Sequence, residues 1–125
     1  MTAEGGGLRW MGRQAVVTVP TEIDTINAGE VRQTLLAATS RDATVLIIDM
    51  SGTTFCDSAG VQAIIDTYNQ AAATRTQLRL VATEVLRILT LVGVDQLIPI
   101  YPTLEAALAG TPAAAASTRD PDDPE

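Results

Sequence analysis

Apolar positions along the middle of the chain recur with two periods, and each period predicts an element. Leu8 to Met11 and Gln14 to Val19 are short apolar or β-branched runs, and Gly12-Arg13 between them predicts a hairpin turn. Pro20 closes the second run, because proline cannot donate to a strand ladder. Asn27 stands three residues before Glu30. That is the spacing of a capping box, in which each side chain satisfies the other's free backbone N–H. It predicts a helix with Val31, Leu35 and Ala38 on one face. Val45 to Ile48 is a continuous apolar run, as expected of a central strand covered on both sides. Ser58 is placed to cap the next helix. There Val61, Ile64, Ile65, Tyr68 and Ala72 recur at helical spacing and are expected to face the sheet. Gln62, Asp66, Asn69 and Gln70 fall on the opposite, wet face.

Leu78 to Ala82 reads as a further strand, with Leu78, Leu80 and Ala82 on one side. Thr83 is expected to cap a short helix carrying Val85, Leu86, Leu89 and Val92, with Gly93 in the left-handed position after it. Ile98 to Tyr101 is a last strand, and Pro99 predicts an edge position or an irregular end. Thr103 caps a final helix, Leu104 to Ala109, closed by Gly110. The predicted order is β-β-α-β-α-β-α-β-α, an α/β fold with a mixed sheet and right-handed crossovers between parallel strands. Residues 1–7 are small, polar and glycine-rich, and read as a flexible N-terminus. Residues 111–125 hold a four-alanine run, three prolines and four acids against one arginine. Such a segment cannot offset its ordering entropy and reads as a disordered acidic tail. Residues 8–110 are left as the one folded domain.

Composition narrows the chemistry. A chain of 125 residues has a one-domain length and can bury a core without staples. Cys56 is the lone cysteine, which excludes an intrachain disulfide and a cysteine-cluster metal site. Histidine is absent, which removes Ser-His-Asp and Cys-His catalysis and most zinc and haem sites. The formal net charge is −7 and every basic residue is arginine, without a basic run. A nucleic-acid backbone is therefore an unfavourable partner. No apolar stretch approaches the ~18 residues of a membrane span, and the first residues lack the features of a signal peptide. These readings predict a cytoplasmic protein without membrane insertion. No Walker motif or other nucleotide signature is present, and no cofactor or metal is expected.

The stretch Val45 to Val61 carries the unusual chemistry. A buried strand leads into a loop that ends at the start of an amphipathic helix. Ser58 stands where the first backbone N–H groups and the positive end of the helix dipole converge, a favourable place for a phosphate. A serine before a helix is also an ordinary N-cap. Asp49-Met50-Ser51 followed by Phe55-Cys56-Asp57-Ser58-Ala59-Gly60-Val61 closely resembles the signature of the STAS domain, the anti-sigma factor antagonist family. Pro20-Thr21-Glu22-Ile23-Asp24 is similar to that family's Gly-Glu-Leu-Asp turn, with Thr21 in place of glycine. Leu86-Arg87-Ile88-Leu89 to Val92-Gly93-Val94 resembles its short third helix and following turn. The similarity runs from about Leu8 to Gly110.

The resemblance implies partner switching. An unphosphorylated antagonist binds an anti-sigma factor that is also a serine kinase, and so releases a sigma factor. Phosphorylation ends the complex, and a PP2C-like phosphatase restores it. Carried to this sequence, the phosphorylated residue is Ser58, and Ala59 beside it leaves a single hydroxyl. The implied partner-binding set is Asp24, Asp57, Ser58, Ala59, Gly60 and Gln62, with Asp24 in the loop facing Asp57. Two other classes compete. One is an unmodified STAS module in a transport or stress-sensing assembly, with Ser58 only a cap. The other is an enzyme, which the missing histidine and the lack of a paired-acid or metal motif disfavour. Among the remaining residues, Cys56 reads as a small buried hydrophobe and Gly60 as a close-packing position. Asp49 reads as a partner for loop N–H groups, and Trp10 as hairpin packing.

Overall fold

A computed structural model of the chain describes residues 7–110. The readings of the flexible N-terminus and the acidic tail fall, apart from Gly7, outside the described residues. Gly7 itself opens the first strand. The elements are β1 (Gly7–Met11), β2 (Gln14–Thr18), β3 (Glu22–Ile23), α1 (Ala28–Thr39), β4 (Val45–Met50), β5 (Phe55–Cys56), α2 (Ser58–Thr74), β6 (Gln77–Ala82), α3 (Leu86–Leu91), β7 (Ile100–Tyr101) and α4 (Leu104–Ala109), with a 3₁₀ turn at Val94–Gln96. The predicted order holds once β3 and β5 are set aside. Each of these is only two residues long, too short to leave a period in the sequence.

Five strands form a mixed sheet in the order β1-β2-β4-β6-β7. β1 is antiparallel to β2, with Met11 opposite Gln14, so Gly12-Arg13 is a two-residue hairpin loop. Gly12 has φ +65°, a region open to glycine. The other pairs are parallel. β4 lies in the middle of the sheet and all six of its residues are buried. A strand covered on both faces needs no polar alternation, which is why Val45 to Ile48 is apolar throughout. On one face Ala15, Val17, Leu46, Ile48, Leu78 and Leu80 meet Val31 and Leu35 of α1, Ile64 of α2 and Leu89 of α3. On the other face Val16, Ile47, Val81 and Tyr101 meet Ala107 of α4. Pro99 precedes β7, which is an edge strand as expected.

α2 is rotated from its expected setting. Its buried residues are Gly60, Ala63, Ile64, Thr67 and Ala71, whereas Val61, Ile65 and Tyr68 are half-buried and Ala72 is exposed. The reason is a second neighbour. Gln70, expected on the wet face, donates to the Thr39 hydroxyl at 2.6 Å and to the Leu36 carbonyl at 3.0 Å on α1. Asp66 pairs with Arg32 of α1 at 2.8 Å. A helix packed on a sheet and on another helix buries a small-residue stripe besides its sheet face.

The caps divide. Thr103 accepts from the Ala106 N–H at 3.1 Å, and Gly93 (φ +86°) and Gly110 (φ +62°) take the left-handed positions expected of them. Thr83 does not cap α3. Its hydroxyl donates instead to the Ser51 carbonyl at 3.2 Å, tying the β6–α3 junction to the loop after β4.

Candidate binding face at the start of α2

The site is made by two loops that zip together. β3 and β5 pair in parallel, with Glu22 beside Phe55 and Ile23 beside Cys56. The Thr54 N–H donates to the Thr21 carbonyl at 2.8 Å, and the Asp57 N–H to the Ile23 carbonyl at 3.1 Å. The Thr53 hydroxyl, fully buried, closes the base of the loop on the Pro20 carbonyl at 2.9 Å. Ile23 and Cys56 point into the core. Successive residues of an extended chain alternate sides, so Glu22, Phe55 and the two aspartates next in register, Asp24 and Asp57, share the outer side. Asp24 and Asp57 are the residues that follow this pair on the two loops, and a strand pair invisible to periodicity brings those loops side by side.

Asp57, not Ser58, caps α2. The Asp57 Oδ1 accepts from the Ala59 N–H at 2.9 Å and the Gly60 N–H at 3.2 Å. Asp57 has the extended backbone of an N-cap (φ −92°, ψ −170°), and Ser58 is the first helical residue. The expectation that Ser58 caps the helix is corrected. An aspartate and a serine in succession compete for one position, and the carboxylate forms the stronger bond to the same N–H groups. Ser58 is exposed, and its hydroxyl makes no hydrogen bond among the described residues. The hydroxyl is therefore free for an external partner.

The start of α1 shows the second correction. The Asn27–Glu30 capping box does not form, and Asn27 makes no side-chain cap bond. Instead its Oδ1 accepts from the Asp24 N–H at 3.0 Å, and its Nδ2 donates to the Glu22 carbonyl at 2.8 Å. The Asp24 Oδ1 accepts from the Ile26 N–H at 2.9 Å and the Asn27 N–H at 3.3 Å. Asp24 is thus half-buried and holds its own loop.

The remaining predicted residues have structural roles. Gly60 is buried, and a Cβ there would lie 2.5 Å from the Cys56 Sγ and 2.8 Å from the Ile23 Cγ2. It belongs to the packing beneath the face and not to its surface. Ala59 is half-buried. Gln62 is exposed and donates to the Asp66 Oδ1 at 2.9 Å, one turn along α2. That bond, and then those with Arg32, hold the Asp66 carboxyl below the usual range. Cys56 is 3% exposed, and its burial, with the Asp57 charge adding to it, pushes the thiol up to about 11. A thiol so protonated is inert as a nucleophile near neutral pH. Asp49 accepts from the Ser51 N–H at 3.0 Å, as read. Trp10 lies opposite Ala15 in the hairpin and is 38% exposed. Sequence reasoning missed Ile26, which is 91% exposed, and Phe55, which is 46% exposed. Both were apolar in regions without a period, and only the paired loops turn them outward.

A groove of about 510 Å³ lies elsewhere, lined by Tyr68, Arg79, Tyr101 and Gly110 among others. It contains none of the residues of the paired loops. Among the described residues no cluster of acids and cysteine has the form of a metal site. No described helix is long and apolar enough to cross a membrane.

Comparison with known proteins places this geometry. The family model described as the STAS domain matches residues 11–107. The chain belongs to the STAS domain family. An anti-sigma factor antagonist from Mycobacterium paratuberculosis is 28% identical, with a TM-score of 0.77 over 86% of this chain and 92% of the other. The Bacillus cell fate determinant SpoIIAA in its phosphorylated form is 20% identical, with a TM-score of 0.66 over 84% and 97%. The unphosphorylated form of the anti-sigma factor antagonist SpoIIAA gives 20% and 0.71 over 86% and 96%. Among curated proteins no significant match is found. For this STAS domain, the SpoIIAA likeness shows the fold, and the paired loops and α2 start lie within the matched residues.

Proposed function

We propose that this STAS protein is an anti-sigma factor antagonist that acts in the cytoplasm by partner switching. Unphosphorylated, it binds an anti-sigma factor that is also a serine kinase, so that a sigma factor is released. Phosphorylation of Ser58 ends that binding, and a PP2C-like phosphatase reverses it. The chain is the substrate of this chemistry and not its enzyme. The observation that carries the reading is the free, exposed Ser58 hydroxyl next to the capping Asp57, on the loop that pairs with the acidic Glu22–Asp24 segment. The folds of two SpoIIAA forms, one phosphorylated, add support.

The physics of the switch follows from the cap. Phosphorylation adds about −1.5 to −2 charge at pH 7. The nearest helix N–H groups, those of Ala59 and Gly60, are already held by Asp57. A phosphoryl group at Ser58 therefore competes with a carboxylate for the same donors and cannot be neutralised by them. The added charge faces outward, where a partner that received a neutral hydroxyl between carboxylates now meets an anion. The core beneath is not involved, so the fold survives while the complex is lost. ATP and Mg²⁺ belong to the kinase.

The test is intact mass after incubation with purified ATPase-type serine kinases, ATP and Mg²⁺. One phosphate per chain is expected, and none on Ser58→Ala, which still binds the kinase. Uptake by the alanine variant sinks the site. Enzymatically phosphorylated protein should bind at least tenfold more weakly, about 1.4 kcal/mol. Equal binding of the phosphorylated and unmodified forms favours the unmodified structural module instead.

A further inference from the structure

We infer that Ile26, with Phe55 on the paired loop, is the apolar anchor of this face, and that its partner is a protein with an apolar pocket rimmed by arginine or lysine. The inference rests on the reading of Ser58 above and adds what holds the partner there.

Ile26 is 91% exposed, the most exposed of the large apolar side chains on the described surface. A β-branched residue in water at a loop tip has no folding role, yet this loop is tightly built. The Ile26 N–H is held by the Asp24 carboxylate at 2.9 Å, and the next N–H by the same oxygen at 3.3 Å. Asn27 clamps the loop on both sides, at 3.0 Å to the Asp24 N–H and 2.8 Å to the Glu22 carbonyl. The backbone entropy of presenting Ile26 is thus spent on folding and not on binding, which is the economy of a preorganised hot spot. Phe55 stands on the outer side of the β3–β5 pair, beside Glu22. The two exposed apolar residues therefore lie on the two loops that the β3–β5 pair joins, Ile26 two positions after Asp24 and Phe55 two positions before Asp57.

The charge of the face selects the partner. Segments 21–31 and 51–62 contain the acids Glu22, Asp24, Glu30 and Asp57 and no basic residue. Such a rim repels acidic surfaces and steers basic ones. An apolar pocket without cations would leave these carboxylates desolvated and unpaired, so the pocket must carry guanidinium or ammonium groups around it. The same pairing makes the complex sensitive to an added phosphate at Ser58, because the phosphate changes the spacing and charge that the cations were placed to meet.

The experiment uses the full chain and the purified ATPase-type kinase that phosphorylates Ser58 in the mass assay, held with ADP and Mg²⁺. Binding is measured by biolayer interferometry for the wild type, Ile26→Val, Ile26→Ala, Ile26→Asp and Phe55→Ala. Ile26→Ala should weaken the complex at least tenfold, mainly through faster dissociation, and Ile26→Asp at least a hundredfold. Ile26→Val should stay within threefold. Phe55→Ala should fall between Val and Ala at position 26. Salt from 0.05 to 0.5 M should slow association of all forms alike, leaving the Ile26→Ala loss unchanged. Melting temperatures should agree within about 2 °C, since an exposed side chain contributes little to stability. If Ile26→Ala and Ile26→Asp bind like the wild type while Ser58 is still phosphorylated, the anchor is overturned and the Ser58 reading stands. If no such kinase binds or modifies the wild type, both fall together.

Discussion

The starts of α1 and α2 look alike in sequence and differ in structure. Each follows a short polar loop, and each offers a capping residue and an acid nearby. At α2 the cap forms, and Asp57 takes the Ala59 and Gly60 N–H groups. At α1 it does not, and Asn27 spends its amide on the loop behind it. The difference comes from what each loop must do. The loop before α2 is already fixed by pairing with β3, so its last side chain is free to serve the helix. The loop before α1 leaves that pair after Ile23 and runs from Asp24 to Asn27 before the helix begins, so Asn27 and Asp24 become its scaffold. Together they make one face from two imitations of the same signal. The cap leaves the Ser58 hydroxyl unused, and the scaffold holds Ile26 in water.

The largest expected effect tests the packing beneath that comparison. Gly60→Ala places a Cβ against the Cys56 Sγ at 2.5 Å and Ile23 at 2.8 Å. Overpacking of that kind should destabilise the domain by about 3 kcal/mol in urea unfolding. Adding Cys56→Ala should recover part of the loss, because one of the two obstacles is removed. An unchanged midpoint would show that the α2 junction is looser than the geometry requires.

Next comes the Cys56 thiol, whose value in the folded state is raised from 9.0 to about 11. Above pH 9 the unfolded chain releases this proton while the folded one keeps it. Stability should therefore be unaffected below pH 8 and fall as pH rises from 9 to 11, by up to about 1.4 kcal/mol per pH unit. Cys56→Ala should lack that part of the fall in parallel urea titrations. Equal pH profiles would mean the thiol is less enclosed than the β3–β5 pair implies.

The direct comparison of the two junctions has a smaller effect. Asp57→Ala removes a cap bonded to two N–H groups and should destabilise by about 1 to 2 kcal/mol. Ser58→Ala removes nothing that the helix uses and should stay within about 0.5 kcal/mol. Reversal of that order would return the cap to Ser58 and take the free hydroxyl away. Asn27→Ala should cost about 1 kcal/mol while raising hydrogen exchange at Asp24 and Ile26 more than in α1. Exchange rising in α1 instead would show a true helix cap there.

The smallest change concerns the outer pair. Arg32→Ala breaks the 2.8 Å contact with Asp66 on an exposed surface and should alter stability by less than about 0.5 kcal/mol. A larger loss would show that the α1–α2 edge, and not only its buried stripe, holds the two helices together.

What the sequence by itself determined is the framework. Val45 to Ile48 had to be a central strand, because four successive apolar positions leave no side for water, and all four are buried. Thr103 and Gly110 bounded α4, because local side-chain and φ chemistry is enough to start and stop a helix. The resemblance around Asp57-Ser58 fell on the junction of β5 and α2. Tertiary structure decided the rest. β3 and β5 exist only because each gives the other a ladder, and neither is long enough to show a period. The choice of Asp57 over Ser58 depended on Ile23 holding the Asp57 N–H and fixing its extended backbone. α2 turned Gln70 inward because α1 offered carbonyl and hydroxyl acceptors that lie more than thirty residues earlier in the chain. Its C-terminus uses Arg75 in a left-handed conformation (φ +61°), a stop that a search for glycine passes over. Ile26 and Phe55 are exposed for the same reason: partners distant in sequence set which way a short loop faces, and that information is absent from any local pattern.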